Sequence, residues 1–173
     1  MAGTVFITGG ARSGKSRLAE ELALGQGAPL VYIATGMAGD REMAERIERH
    51  RARRGPDWRT VEEPLDLAGA ISAAQGKCAA ILVDCITLWL TNLLLTYDDA
   101  AIVLKEVELL VRLLPTLETP LLLVSNEVGM GIVPENRLAR TFRDLAGEAN
   151  ELLAGAADEV YVMFSGLPLK LKG

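Results

Sequence analysis

The residues with the clearest chemical content lie near the start of the chain. Gly9-Gly10-Ala11-Arg12-Ser13-Gly14-Lys15-Ser16 satisfies the pattern G-x-x-x-x-G-K-[ST], between a strand-like segment and an amphipathic helical one. Glycines let the backbone curl so that successive N–H groups converge on phosphate oxygens, and the helix N-terminus that follows adds partial positive charge. Lys15 is placed to neutralise β- and γ-phosphates, and Ser16 carries a hydroxyl able to help hold Mg²⁺. Asp84 closes the apolar run Ala80-Ile81-Leu82-Val83-Asp84. It is placed like the acidic metal-holding residue on the neighbouring strand. A helix-capping role for Asp84 stays open.

The single histidine, His50, lies in Asp40–Arg54, which reads as a helix with Met43, Ile47, His50 and Arg54 on one stripe. Arg46, Arg49, Arg51 and Arg53 flank it. Beside a triphosphate such a cluster would neutralise phosphate charge, and a neutral imidazole would attack phosphorus to give a phosphoramidate. The plainer alternative is an apolar stripe ending at His50, with solvated arginines paired as Glu42–Arg46 and Glu45–Arg49. On pattern alone that alternative carries more weight.

These residues have to be positioned by a scaffold. Short β-branched runs alternate with helix-length segments, which predicts an α/β fold with parallel strands joined by helical crossovers. The strands are expected at Thr4–Thr8, Leu30–Thr35, Arg59–Glu62, Ala80–Cys85, Pro120–Ser125 and Glu159–Ser165, with a weaker candidate at Leu167–Lys172. After Pro134, the stripe Leu138, Phe142, Leu145, Ala149 and Leu152 predicts a helix with a core-facing side. Asp99–Leu114 puts Val103, Val107, Leu110 and Leu114 on one face. Its further Ile102, Leu109, Val111 and Leu113 imply burial on several sides or a subunit contact. Trp58 and Trp89 read as packing residues. Ser125-Asn126-Glu127 ends a buried strand, where open α/β sheets bind ligands, though a loop-capping role is equally open.

With 173 residues, half of them hydrophobic, the chain is long enough for one substantial core and short for two, so one domain is expected. A net charge of −5 gives no broad attraction to nucleic acid or an anionic membrane. The apolar stretch Ile81–Leu95 contains Asp84 and Asn92 and falls short of the roughly 18 residues of a bilayer span. Met1-Ala2-Gly3 has no export pattern, and Cys78 and Cys85 read as small apolar side chains in a reducing compartment, so a cytoplasmic location is expected. One histidine and two cysteines make a Cys/His zinc site a poor fit.

Beyond the phosphate loop, the chain carries Tyr32-Ile33-Ala34-Thr35-Gly36, Arg46-Ile47-Glu48-Arg49-His50-Arg51, Trp58 and Glu62-Glu63-Pro64. Val83-Asp84-Cys85-Ile86-Thr87-Leu88-Trp89-Leu90-Thr91-Asn92 and Val124-Ser125-Asn126-Glu127-Val128-Gly129 follow. Then come Pro134-Glu135-Asn136-Arg137 and Ser165-Gly166-Leu167-Pro168-Leu169. In this order the segments resemble, over nearly the whole chain, the bifunctional adenosylcobinamide kinase and adenosylcobinamide-phosphate guanylyltransferase family of cobalamin assembly. The resemblance implies a P-loop NTPase-type three-layer sandwich with a mostly parallel central sheet, RecA-like. It also implies phosphorylation of the aminopropanol hydroxyl of adenosylcobinamide by ATP or GTP, then transfer of GMP from GTP to that phosphate. His50 would carry the GMP in between, which reverses the weight given to it above. Nucleotide contacts are implied at Gly9 to Ser16, at Ala34, Thr35 and Gly36, at Arg51, Ala52, Arg53 and Arg54, and at Glu62 and Asp84. Lys15 joins His50 as catalytic, Ser16 and Asp84 would hold Mg²⁺, and a cytoplasmic homotrimer is implied.

Two other functions fit parts of the pattern. A plain small-molecule kinase needs the same loop without a covalent nucleotide, and a nucleotide sensor would bind GTP and transfer nothing. A polymer-tracking motor calls for basic loops, against which the acidity of the chain counts.

Overall fold

The structure is a computed structural model, described here for residues 3–36 and 55–173. The expected helix Asp40–Arg54, with His50 and its arginines, lies outside the described residues.

Seven strands form one sheet: β1 (Thr4–Gly9), β2 (Leu30–Ala34), β3 (Trp58–Glu62), β4 (Ala80–Asp84), β5 (Leu121–Val124), β6 (Glu159–Phe164) and β7 (Leu167–Lys172). Their spatial order is β3-β2-β4-β5-β1-β6-β7. All neighbours pair in parallel except β6 and β7, which form an antiparallel hairpin. All seven expected strands are present, with ends shifted by no more than a residue. The central strands β2, β4 and β5 are apolar up to Asp84 at the end of β4, because both faces are covered, as a parallel sheet with helical crossovers requires. The edge strands differ: β3 is half-exposed and β7 exposed throughout.

Alternation along the strands divides the core into two layers. Phe6, Val31, Ile33, Ile81, Val83, Leu121 and Leu123 face one side. There they pack on α2 (Leu67–Ala74), α3 (Ile86–Tyr97), α4 (Ala100–Leu113) and α5 (Arg137–Ala156). Ile7, Tyr32, Leu82, Leu122 and Val124 face the other side, against Ala19 and Ala23 of α1 (Lys15–Leu24). Each large aliphatic side chain so buried contributes about 1.5–3 kcal/mol relative to an exposed one. The result is the expected three-layer α/β arrangement.

Side-chain caps set three of the helix starts. Asp66 accepts from Gly69 N–H before α2, Asp99 from Ala101 N–H before α4, and Asn136 from Ala139 N–H before α5. The helix expected after Pro134 therefore begins at Arg137. Its stripe is only partly core. Leu145 and Ala149 are buried and Phe142 and Leu152 partly so, but Leu138 is 50% exposed, because the first two turns stand clear of the core. On α4, Val103, Val107 and Leu110 are buried as expected, with Leu114 just beyond it, and Ile102 and Leu109 face outward.

Candidate functional site

Gly9, Ala34, Glu62, Asp84 and Val124 all stand at the C-terminal ends of parallel strands, along one edge of the sheet. This is the edge where open α/β sheets bind ligands, because the loops and helix N-termini that follow the strands converge there.

The phosphate loop leaves β1 at Gly9, whose φ of +143° is one that side-chain-bearing residues rarely adopt. A Cβ at that position would stand 2.6 Å from the Met163 carbonyl oxygen, so glycine is also needed for the approach to β6. Gly14, at φ +99°, is the N-cap of α1 in the left-handed conformation. Between them the loop closes through Ser13 N–H to the Gly10 carbonyl at 3.3 Å, and its outer side is tied to the β6–β7 turn by Gly166 N–H donating to the Ser13 carbonyl at 3.0 Å. Lys15 is 7% exposed, and its Nζ donates to the Gly10 carbonyl at 2.6 Å, folding the ammonium back over the loop. Ser16 is half-buried in the first turn of α1. Ser13 Oγ is buried with no hydrogen-bond partner among the described residues, a donor left inside a loop built for anions.

Asp84 sits in register with Ala34 on β2 and Val124 on β5. Sequence reading places it on the strand beside β1, whereas β5 lies between them. The separation is thus two strand spacings, about 10 Å, rather than one. The capping alternative fails, since α3 has Cys85 at its N-cap and no side-chain cap bond. Cys85 itself is chemically quiet: burial, with the neighbouring Asp84 charge adding to it, pushes its thiol up to about 11. It remains a protonated thiol at neutral pH.

Thr35 is fully buried, and its hydroxyl donates to the Cys85 carbonyl at 2.7 Å and accepts from Cys85 N–H at 2.9 Å. Its side chain thereby ties the end of β2 to the end of β4, and of this turn Gly36 is the half-buried member. Glu62 is exposed at the end of β3, level with Ala34. Glu63 turns back instead, accepting from Leu65 and Asp66 N–H. Trp89 is core, with Nε1 donating to the Leu65 carbonyl, and Trp58 packs edge-on against Tyr32. Arg51, Ala52, Arg53, Arg54 and His50 lie outside the described residues.

Sequence reasoning missed three residues that hold this edge together. Asn92 of α3 donates from Nδ2 to the Thr35 carbonyl at 2.7 Å and to the Pro64 carbonyl at 3.1 Å, clamping the loops after β2 and β3. Thr87 of α3 and Asn150 of α5, both buried, bond the chain as it leaves β5. The signal was a polar residue on an otherwise apolar helix face, where a partner is obligatory.

Among the described residues no helix is long and apolar enough to cross a membrane, and no group of three or more His, Cys, Asp or Glu is placed to hold a metal ion. The fold is similar to that of a KaiC-like protein from Pyrococcus horikoshii, with a TM-score of 0.52 at 14% identity, over 92% of this chain and 70% of the other. A bifunctional adenosylcobalamin biosynthesis protein of Pseudomonas aeruginosa, CobP, is 51% identical over 97% of this chain and 96% of its own. The Salmonella typhimurium CobU of the same description is 46% identical over 97% and 99%. The family model described as cobinamide kinase / cobinamide phosphate guanyltransferase matches residues 5–171. A strand-to-helix phosphate loop on a mostly parallel sheet, matched over almost every residue by that model, makes this chain a transferase belonging to the cobinamide kinase / cobinamide phosphate guanyltransferase family.

Proposed function

We propose that one domain spanning residues 1–173 carries both transfers, with ATP or GTP seated on Gly9 to Ser16 at the sheet edge shared with Asp84. The observation that carries this reading is the phosphate loop itself: a left-handed Gly14 at the N-terminus of α1, with Lys15 folded over the loop. In the kinase step the terminal hydroxyl of the aminopropanol arm of adenosylcobinamide bonds to the γ-phosphorus as the β–γ bridge breaks. Lys15 meets the charge on the β- and γ-phosphates, and the loop N–H groups and Ser13 Oγ hold their oxygens. Ser16 and Asp84 offer two hard oxygen donors, which with phosphate oxygens and water suit Mg²⁺. Bound there, the ion would neutralise phosphate charge. Glu62 and the backbone at Ala34, Thr35 and Gly36 face the nucleotide along the same edge, with Arg51 to Arg54 supplying further contacts.

In the second step His50 attacks the α-phosphorus of GTP and releases pyrophosphate. The cobinamide phosphate then displaces the imidazole and leaves as adenosylcobinamide-GDP. The two steps demand different phosphorus atoms in line with their nucleophiles, so nucleotide or histidine shifts between them. A homotrimer would have the outward-facing Ile102 and Leu109 of α4 available as apolar contact surface, and the cytoplasm is its proposed location.

The test is incubation with Mg²⁺ and GTP labelled at the α-phosphate, followed by denaturation and mass analysis. An acid-labile, alkali-stable GMP adduct at His50, absent from His50→Ala while phosphorylation is retained, is expected. No adduct on folded, GTP-binding protein would leave a plain kinase, and equal loss of both activities in His50→Ala would make the histidine structural.

A further inference from the structure

The chain leaving β5 is held by side chains in a way that an ordinary loop is not. Asn126 N–H donates to Thr87 Oγ1 at 2.7 Å, and the Asn126 carbonyl accepts from Asn150 Nδ2 at 3.2 Å. The ring of contacts closes through Ser125, whose Oγ donates to Asn150 Oδ1 at 2.6 Å and stands 3.4 Å from Thr87 Oγ1. Thr87, Ser125 and Asn150 are each at least nine-tenths buried. On the other side, Ser125 N–H donates to the Ile7 carbonyl at 2.9 Å and Glu127 N–H to the Gly9 carbonyl at 3.0 Å. Both backbone polar groups of Asn126 are thus fixed by buried side chains, and its neighbours are stitched to the root of the phosphate loop.

Strand order says where this puts the Asn126 carboxamide. β5 lies between β1, which ends in the phosphate loop, and β4, which ends in Asp84. Asn126 therefore leaves the sheet midway between them, about 5 Å from each strand, beside the space where a terminal phosphoryl group would lie if Lys15 and Asp84 both faced it. Its Nδ2 stands 4.0 Å from Cys85 Sγ, on the Asp84 side, and the residue is half-buried. A carboxamide there offers an N–H₂ donor to phosphoryl oxygens, held before the reaction begins.

We propose that Asn126 contacts the transferring phosphoryl group, and that Thr87 and Asn150 are positioning residues that act through it. This rests on the phosphate loop being the nucleotide site. The experiment measures kcat for cobinamide phosphorylation by ATP, together with the dissociation constant of a fluorescent ATP analogue, for Asn126→Ala, Thr87→Val and the double variant. Each single change is expected to lower kcat roughly tenfold or more with affinity held within about threefold, the pattern of an interaction made mainly in the transition state. Because Thr87 acts through Asn126, the double variant should fall below the weaker single by no more than about twofold. Thr87→Ser, which restores the acceptor for Asn126 N–H, should recover most of the loss. Where Thr87→Val does not fold, Asn150→Asp enters the same cycle, since it keeps the acceptor for Ser125 and loses the donor to Asn126. Wild-type kcat in Asn126→Ala, multiplicative losses in the double variant, or a loss confined to nucleotide affinity would each overturn the proposal. Lys15→Ala measured alongside separates the two readings. If it alone abolishes nucleotide binding while Asn126→Ala behaves as wild type, the phosphate loop stands and the assignment of Asn126 falls.

Discussion

Replacing Asn92 by leucine tests how the site edge is held together. Leucine has as many side-chain heavy atoms as asparagine, similarly branched, and suits an apolar helix, so the change removes two donors without opening a cavity. The two carbonyls it abandons differ. Thr35 is 0% exposed, so its oxygen, bonded at 2.7 Å, is left unsatisfied at about 1–3 kcal/mol. Pro64 is half-buried and its bond is the longer one, so partial replacement by water limits that loss to about 0.5–1 kcal/mol. The sum is about 1.5–4 kcal/mol, or a fall in Tm of roughly 3–16 °C for a chain of this size. Urea unfolding followed by far-ultraviolet circular dichroism, at one fixed protein concentration, should show a lower midpoint with unchanged slope. Thr96→Ala is the control on the same helix. Its hydroxyl bonds only the Asn92 carbonyl one turn back, at an exposed position, and its removal should stay within about 0.5 kcal/mol. An Asn92→Leu protein as stable as Thr96→Ala would refute the view that the clamp holds the loops after β2 and β3.

Other expectations follow from the same geometry. Gly9→Ala should abolish nucleotide binding measured by calorimetry, because a Cβ 2.6 Å from the Met163 carbonyl forces β1 and β6 apart at the root of the loop; retained affinity would mean the strands tolerate the shift. Cys85 gives a pH signature: its thiol ionises near 9.0 when unfolded and, raised by burial, at about 11 when folded. Its contribution is fully present below pH 9 and is lost as pH rises through 11, because the unfolded chain gives up its proton first. Stability should therefore fall more steeply between pH 9 and 10.5 in the wild type than in Cys85→Ala, and parallel slopes would rule this out. Leu82→Ala, at a fully buried central position, should cost about 2–5 kcal/mol by urea unfolding; a loss under 1 kcal/mol would show that the cavity collapses.

Local pattern carried a great deal of this structure. Apolar runs such as Ala80–Val83, bounded by turns and Asp84, cannot be solvated, and the glycines around Lys15 have few other uses. What was not legible is what depends on distant pairing. Nothing in the neighbourhood of Asp84 says that Leu121–Val124, closing on β1 from far along the chain, inserts between them. Helical periodicity identifies the inward side of α5 without saying where the sheet beneath it ends, which is why Leu138, on that side, is half-exposed. Thr35 reads as a residue at a strand end, but its hydroxyl turns inward to Cys85, a partner fifty residues away. Asn92, Thr87 and Asn150 carry no local motif; each is only a polar residue in apolar surroundings. Their partners are backbone groups of other segments, which a sequence does not display.

The ordering of the sheet also bears on how the molecule is made. β1 is made before the other six strands, yet its sheet partners, β5 and β6, follow only after β2, β3 and β4, and Gly166 completes the outer side of the phosphate loop. At roughly 5–20 residues per second, the strand bearing Gly9 waits on the order of ten seconds for its first neighbour. Nucleotide therefore has no finished cradle to stabilise on the nascent chain. Ligand can rescue a weakened variant only after the last strands have docked, so a chaperone that shields β1 in the interval would do more for its yield than added GTP.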